Sequence, residues 1–174
     1  MASVRFESEA ERFAYQAWKS LALTPPVDLD LVAGKLGLRI YREQFVEEID
    51  GLYLQIPGAP PIVAVNSSPF KPAARQRFTI AHEIGHHLLS GRFVRGSKVF
   101  FIDGADTRRS LLEKACDRFA ALLLMPEEMV RLWFGELSAN RENRVAIMAE
   151  RFGVSSAAMR VRLQELGLPY RRWK

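Results

Sequence analysis

The sequence predicts an α+β fold, with a small mixed or antiparallel sheet near the middle of the chain and helices on both sides of it. Two observations support this prediction. Apolar residues recur at helical spacings of three and four outside the middle of the chain, whereas short alternating segments typical of strands cluster between residues 38 and 66. A chain of 174 residues, 48% of them hydrophobic, is also large enough to bury one core without disulfides.

Each element follows from a local pattern. The first helix places Phe6, Phe13 and Leu21 on one face and ends before Pro25. Helices are predicted over residues 6–22, 28–36, 72–90, 107–124, 126–135, 141–152 and 155–165. Strands are predicted over residues 38–42, 51–56, 62–66 and 99–102. The Pro- and Gly-rich residues 57–61 predict a hairpin connection between the second and third strands.

Composition and targeting signals narrow the class of protein. Cys116 is the single cysteine, which excludes an internal disulfide framework and indicates a reducing compartment. The first residues carry mixed charges rather than the apolar core of a signal peptide, and no uncharged apolar run approaches 18 residues. We therefore expect a cytoplasmic protein without a membrane span.

The positive charge is confined to the C-terminal end of the chain. Residues 1–138 contain 17 basic and 17 acidic residues, whereas residues 139–174 contain 8 basic and 3 acidic residues and hold the whole net charge of +5. This asymmetry predicts two parts: a main domain over residues 1–138 and a basic helical subdomain over residues 139–174 that packs on it.

The most informative motif is His-Glu-x-x-His within the predicted helix 72–90. His82 and His86 are one helical turn apart, so both rings can reach one metal ion. Glu83 follows the first histidine, in the position of a general base that activates water. Leu89 and Arg92 stand where the metzincin pattern needs glycine and a third histidine, so that class is excluded.

The third metal ligand has to come from another segment. Glu113, on the next amphipathic helix, is the leading candidate. Asp117, one turn further on, is a candidate either to hold a ligand histidine by a hydrogen bond or to be the ligand itself. Asp103 and Asp106 remain alternatives at this stage.

Two residues near the motif are given less weight. His87 lies about 140° around the helix from His82, so it does not share the ligand face and is expected to be a hydrogen-bonded rim residue. A thiolate is a good zinc ligand, but a small buried thiol packed on an apolar helix face is more common, so packing is the favoured interpretation of Cys116.

Three ordered segments carry a family resemblance. Residues 75–86 contain the His-Glu-x-x-His motif, residues 113–126 read Glu-x-x-Cys-Asp-x-Phe-Ala and end in Leu-Leu-Met-Pro, and residues 149–163 form a C-terminal helical motif. Together they resemble the ImmA/IrrE family of bacterial metallopeptidases. Cys116 departs from the family pattern, which usually has alanine at this position.

The resemblance implies a zincin-like core of the gluzincin type. His82, His86 and Glu113 would hold one zinc ion, or manganese, and Glu83 would act as the base. It also implies an endopeptidase that cleaves helix-turn-helix transcriptional repressors in stress or mobile-element responses. The alternative is a non-proteolytic regulatory or toxin–antitoxin binding module with the same fold.

The remaining expectations concern substrate and nucleic acid. A substrate strand is expected to add to the sheet edge near residues 62–66. Tyr53 and Arg75 are candidate oxyanion donors, although core packing and a solvated helix end explain them equally well. Residues 149–166 resemble a helix-turn-helix, and DNA contact requires Arg160 and Arg162 to project from its second helix. Packing or docking of a repressor is the favoured role for this segment.

Overall fold

The computed structural model describes residues 2–46, 48–90, 99–104, 110–139 and 142–169. Over these residues it confirms the predicted α+β class. The helices are α1 (Ala2–Leu21), α2 (Leu29–Lys35), α3 (Ala73–Ser90), α4 (Leu111–Leu124), α5 (Glu127–Glu136), α6 (Arg144–Phe152) and α7 (Ser156–Glu165), with a short 3-10 helix at Leu137–Ala139. The strands are β1 (Arg39–Glu43), β2 (Ile49–Gln55), β3 (Ile62–Asn66) and β4 (Val99–Gly104).

The four strands form one mixed sheet in the order β1-β3-β2-β4. Strands β2 and β3 pair antiparallel, as the predicted hairpin requires, whereas β1 pairs with β3 in parallel. Strand β3 therefore lies inside the sheet with a neighbour on each side. The expectation that a substrate strand adds to an edge near residues 62–66 is wrong, because β1 already occupies that edge.

Helix α3 lies between the sheet and α4 and is the centre of the fold. Its buried residues include Ile80, Ala81 and Ile84, and α1 covers the next layer by packing on α4. The indole nitrogen of Trp18 in α1 donates a hydrogen bond to the carbonyl of Leu123 in α4, at 2.9 Å. None of the described helices is both long and apolar enough to cross a membrane.

Two arginines of the basic C-terminal segment are structural. Arg162 in α7 is only 3% exposed, and its Nε donates to the carbonyl of Met125 at the end of α4, at 3.0 Å. Arg144 at the start of α6 donates to the carbonyls of Leu137 and Ser138 at 3.1 and 3.2 Å. The requirement that Arg162 projects from an exposed helix is thus not met, because its guanidinium satisfies a buried backbone acceptor.

Replacing Arg162 with methionine is expected to destabilise the fold. Methionine fills similar space but leaves the carbonyl of Met125 without its donor, which costs about 1–3 kcal/mol in the free energy of unfolding. Urea denaturation followed by circular dichroism measures this loss. Arg160→Met is the matched control, since Arg160 is exposed on the same helix and should change stability by less than about 0.5 kcal/mol. Equal stability of the two variants would contradict a structural role for Arg162.

Candidate metal centre

Helix α3 brings the two histidines of the motif together. His82 and His86 are 2% and 0% exposed, and their Nε2 atoms lie 3.2 Å apart. The helix is fixed at its N-terminal half by Arg77, which donates to the carbonyl of Val27 at 2.7 Å and to that of Gly153 at 3.2 Å. The rings are therefore held on a buried, anchored helix and both present the same nitrogen to one point.

Helix α4 supplies the third side chain. The hydroxyl of Ser110 caps this helix by accepting a hydrogen bond from the backbone nitrogen of Glu113, at 3.1 Å. Ser-x-x-Glu is the pattern of a capping box, in which the glutamate would turn back to the cap residue. Here the carboxylate instead contacts the histidines: Glu113 Oε2 lies 3.1 Å from His82 Nε2, and Oε1 lies 3.4 Å from His86 Nε2.

The spacing of these donors matches the needs of a single metal ion. Zinc binds histidine nitrogen and carboxylate oxygen at about 2.0–2.2 Å in a tetrahedral arrangement, which places neighbouring donors about 3.4 Å apart. The three contacts among the side chains are 3.2, 3.1 and 3.4 Å. Two imidazoles and one carboxylate converging at this spacing form a suitable site for such an ion.

Asp117 contacts the other nitrogen of the first histidine. Its Oδ1 lies 2.8 Å from His82 Nδ1, one helical turn beyond Glu113 on α4. A carboxylate in this position fixes the tautomer with hydrogen on Nδ1, so that the lone pair is on Nε2 and faces the cluster. The structure thus places Asp117 behind His82 rather than among the three converging donors.

Removing the Asp117 carboxylate is expected to weaken metal binding. Loss of a hydrogen-bond partner behind a ligand histidine costs about 10–100-fold in metal affinity. Competition between Asp117→Ala protein and a zinc-chelating dye measures this change, and Asp117→Asn should lose less because its amide oxygen still accepts the hydrogen bond. Asp30→Ala is the matched control, since that carboxylate pairs with Arg42 on the surface. Wild-type affinity in Asp117→Ala would contradict the assigned role.

Two glycines allow the layers around α3 to approach each other. A Cβ on Gly85 would lie 3.1 Å from the Cα of Cys116, so α4 could not pack as closely on α3 with a larger residue. A Cβ on Gly51 in β2 would collide with the Cγ2 of Thr79 and would lie 3.0 Å from Oε1 of Glu83. The sequence pattern predicts a site role for neither glycine, because close approach between distant segments leaves no mark on local periodicity.

The candidate base is enclosed by these layers. Glu83 is 0% exposed. It lies beneath β2, because a Cβ at position 51 of that strand would be 3.0 Å from its Oε1. It occupies the helix position immediately after His82. The structure therefore places a carboxylate in the protein interior beside the histidine cluster, where burial removes it from bulk solvent.

The other residues considered as donors have different partners. The hydroxyl of Tyr53 lies 2.9 Å from Nδ1 of His87 and 2.8 Å from Oε1 of Gln55. Burial raises the pKa of Tyr53 to about 12 and lowers the pKa of His87, so both are uncharged at neutral pH. Arg75 forms an ion pair with Asp50. Both Tyr53 and Arg75 are thus engaged with neighbouring side chains in the structure.

The ion pair of Asp50 also decides the charge of that buried carboxylate. Burial by itself acts to raise the pKa of Asp50, but the hydrogen bonds from Arg75 and Lys71 outweigh it and lower the pKa. Asp50 precedes Gly51 in β2, so this charged cluster ties the strand to the start of α3. This cluster therefore fixes the close contact between Gly51 and Glu83.

Cys116 and Phe101 complete the surroundings of the second histidine. Cys116 is fully buried, and burial raises the pKa of its thiol, with the neighbouring His86 acting in the opposite direction. The ring of Phe101 in β4 stacks on the ring of His86, with centroids 4.3 Å apart and an interplanar angle of 14°. Of the alternative ligands, Asp106 and the side chain of Asp103 lie outside the described part of the structure.

Comparison with known proteins places this site in a family. The sequence profile of the peptidase family described as the IrrE N-terminal-like domain matches residues 33–164, which contain every residue of the cluster. The chain belongs to this family. The resemblance predicted from the three motif segments is thereby confirmed, and residues 33–164 of the α+β structure form the IrrE-like domain.

A curated relative of this IrrE-like chain is the radiation response metalloprotease IrrE of Deinococcus radiodurans. The two sequences are 33% identical over 98 residues, which is 56% of this chain and 25% of the relative. The chain therefore spans about a quarter of that relative's length. The similarity concerns a shared part and leaves the other three quarters of the relative without a counterpart in the alignment.

Proposed function

We propose that this chain is a metal-dependent endopeptidase. Its metal ligands are His82, His86 and Glu113, and its general base is Glu83. The observation that carries the proposal is the convergence of two imidazole nitrogens and one carboxylate within 3.1–3.4 Å of one another. This convergence occurs in a chain of a metallopeptidase family. Zinc is the favoured ion, and manganese uses the same nitrogen and oxygen donors.

The mechanism divides the work between the metal and the protein. Held by His82, His86 and Glu113, a zinc ion would lower the pKa of water toward about 7, and its positive charge would polarise the carbonyl of the scissile peptide. Glu83 accepts the proton of the attacking water and passes it to the leaving amine. Its burial holds the carboxylate in one position and keeps bulk water away from the proton transfer. Asp117 keeps His82 in the tautomer that presents Nε2 to the metal.

The substrate segment is proposed to bind along β4. Within the described residues β4 pairs with β2 alone, and its other edge has no strand partner among them. Phe101 of β4 stacks on His86, so this strand lies beside one of the proposed metal ligands. An extended peptide added to a sheet edge gains affinity from its main chain and places few demands on its sequence. This edge replaces the interior β3 as the proposed docking strand.

The proposed substrate is a helix-turn-helix transcriptional repressor, whose cleavage relieves repression in a stress or mobile-element response. The family resemblance supports this class, and the name of the Deinococcus relative joins a radiation response to a metalloprotease. Helices α6 and α7 form the proposed C-terminal subdomain over residues 139–174. With Arg162 buried, its role is to pack on the zincin-like core and present a docking surface for the repressor, rather than to contact DNA through that arginine.

The test is direct cleavage of a purified repressor. Helix-turn-helix repressors from the same genome are incubated with the zinc- or manganese-loaded protein, and intact-mass spectrometry identifies the fragments. We expect one repressor to be cut at a defined site, the reaction to stop with a chelator, and activity to return when metal is restored. If the metal-loaded protein relieves repression while every repressor stays intact, the non-proteolytic binding module is the correct function.

A further inference from the structure

A sulfur atom lies close to the two proposed histidine ligands. One ring nitrogen from each of His82 and His86 and the Sγ of Cys116 all lie within 4.8 Å of one another. The three residues are fully or almost fully buried. Two imidazoles and a buried thiol are a donor set typical of zinc.

The packing of α4 on α3 holds this sulfur in place. Cys116 is three residues after Glu113, so both side chains leave the same side of α4 toward the histidines. The backbone of Cys116 approaches so closely that a Cβ on Gly85 would be 3.1 Å from its Cα. The helix that delivers the carboxylate therefore also delivers the thiol, and neither can be withdrawn without moving the other.

The separation is within reach of one metal ion. With zinc–sulfur and zinc–nitrogen bonds of about 2.3 and 2.1 Å, a tetrahedral site places sulfur and nitrogen roughly 3.6 Å apart. In the structure the sulfur and the ring nitrogens lie within 4.8 Å of one another, about 1 Å more than the tetrahedral spacing. Rotation of the cysteine side chain and small movements of the imidazole rings can close this difference. Zinc can expand to five ligands, so four protein donors would leave one position for the attacking water.

We propose that Cys116 supplies a sulfur donor to the metal held by the two histidines and Glu113, and that this donor makes the site select zinc over manganese. The proposal rests on the metal site of the proposed function. Thiolate is a soft ligand that favours zinc and cobalt, whereas manganese prefers oxygen donors. On ligation the S–H bond breaks as the sulfur–metal bond forms, and the proton is released to solvent without any redox change.

Cobalt spectroscopy tests the proposal without reference to activity. The wild-type protein, Cys116→Ser and Cys116→Ala are each loaded with Co2+ and their absorption spectra recorded. Because Cys116 is the single cysteine of the chain, any thiolate-to-cobalt charge-transfer band in the near ultraviolet belongs to it. We expect this band in the wild type and its absence in both variants, while the visible cobalt bands persist.

Competition between zinc and manganese provides the second readout. We expect the ratio of zinc affinity to manganese affinity to fall by about tenfold or more in both variants. Tenfold is the low end of the loss in metal affinity when a group that supports a ligand is removed. Zinc binding to either variant should also release one proton fewer than zinc binding to the wild-type protein. Circular dichroism tests whether each variant is folded. Cys116→Ser nearly keeps the size of the cysteine side chain, so it serves as the test variant if Cys116→Ala does not fold.

The outcomes separate this inference from the proposed function. Bound cobalt without the charge-transfer band, together with unchanged zinc preference, overturns the sulfur donor and leaves the His82, His86 and Glu113 site intact. In that case the thiol serves only packing. Failure of the wild-type protein to bind cobalt or zinc overturns the metal site itself, and the inference falls with it.

Discussion

Wild-type protein is expected to hold about one zinc ion per chain, and His82→Ala and Glu113→Ala are each expected to lose most of that affinity. Zinc bound by four protein ligands gains about 10–16 kcal/mol, or about 3–4 kcal/mol per ligand. Removal of one ligand therefore weakens binding by about two to three orders of magnitude. Elemental analysis after gel filtration gives the stoichiometry, and chelator competition gives the affinities.

The third histidine offers a matched control for this experiment. His87 lies on the same helix as His82, but its Nδ1 forms a hydrogen bond with the hydroxyl of Tyr53. His87→Ala should therefore keep wild-type metal content. Loss of metal in His82→Ala with full retention in Glu113→Ala would show that a donor other than Glu113 is the third ligand. No metal in the wild type would refute the site.

The cluster could be predicted because its geometry is mostly local. His82 and His86 share a face through the helical repeat alone, and Glu113 stands on the next strongly amphipathic helix. What local patterns do not determine is how closely two helices pack. The 3.2 Å contact between the ring nitrogens and their contacts with Glu113 depend on a glycine at position 85, whose importance is visible only when α4 is placed beside it.

Strand order is the part of the fold that sequence analysis places wrongly. Strand β3 is expected at an edge, yet it lies between β1 and β2. Pairing of β1 with β3 is parallel and joins segments about 20 residues apart, so no turn signal announces it. One signal is present: residues 63–65 are apolar without alternation, a pattern typical of interior strands buried on both faces.

Charge counting meets a similar limit in the C-terminal segment. The excess of basic residues over residues 139–174 is correct as a count, but a count does not distinguish a solvated arginine from a buried one. Arg162 is buried because the carbonyl of Met125, 37 residues earlier, needs a donor where α4 ends. Arg160, two residues away on the helix, is exposed. Only the position of α7 against α4 separates the two roles.

Glu83→Gln is expected to lower the rate of repressor cleavage by about 10²–10⁴-fold while metal content stays at the wild-type level. Glutamine has the size of glutamate, so it fits the space beneath Gly51, where a Cβ at position 51 would lie 3.0 Å from Oε1 of Glu83. The amide cannot accept and return a proton as a carboxylate does. Initial rates of fragment formation and elemental analysis, performed on the same samples, measure the two quantities.

The value of this variant is that it separates a base from a ligand and proteolysis from binding. A ligand variant loses metal and activity together, whereas loss of the base removes activity alone. Glu150→Gln makes the same chemical change on an exposed position of α6 and should leave both quantities unchanged. Cleavage by Glu83→Gln at the wild-type rate would show that another group moves the proton. If Glu83→Gln no longer cleaves the repressor but still relieves repression with metal bound, the biological effect arises from repressor binding. This size-matched substitution therefore distinguishes proteolysis from binding in one protein.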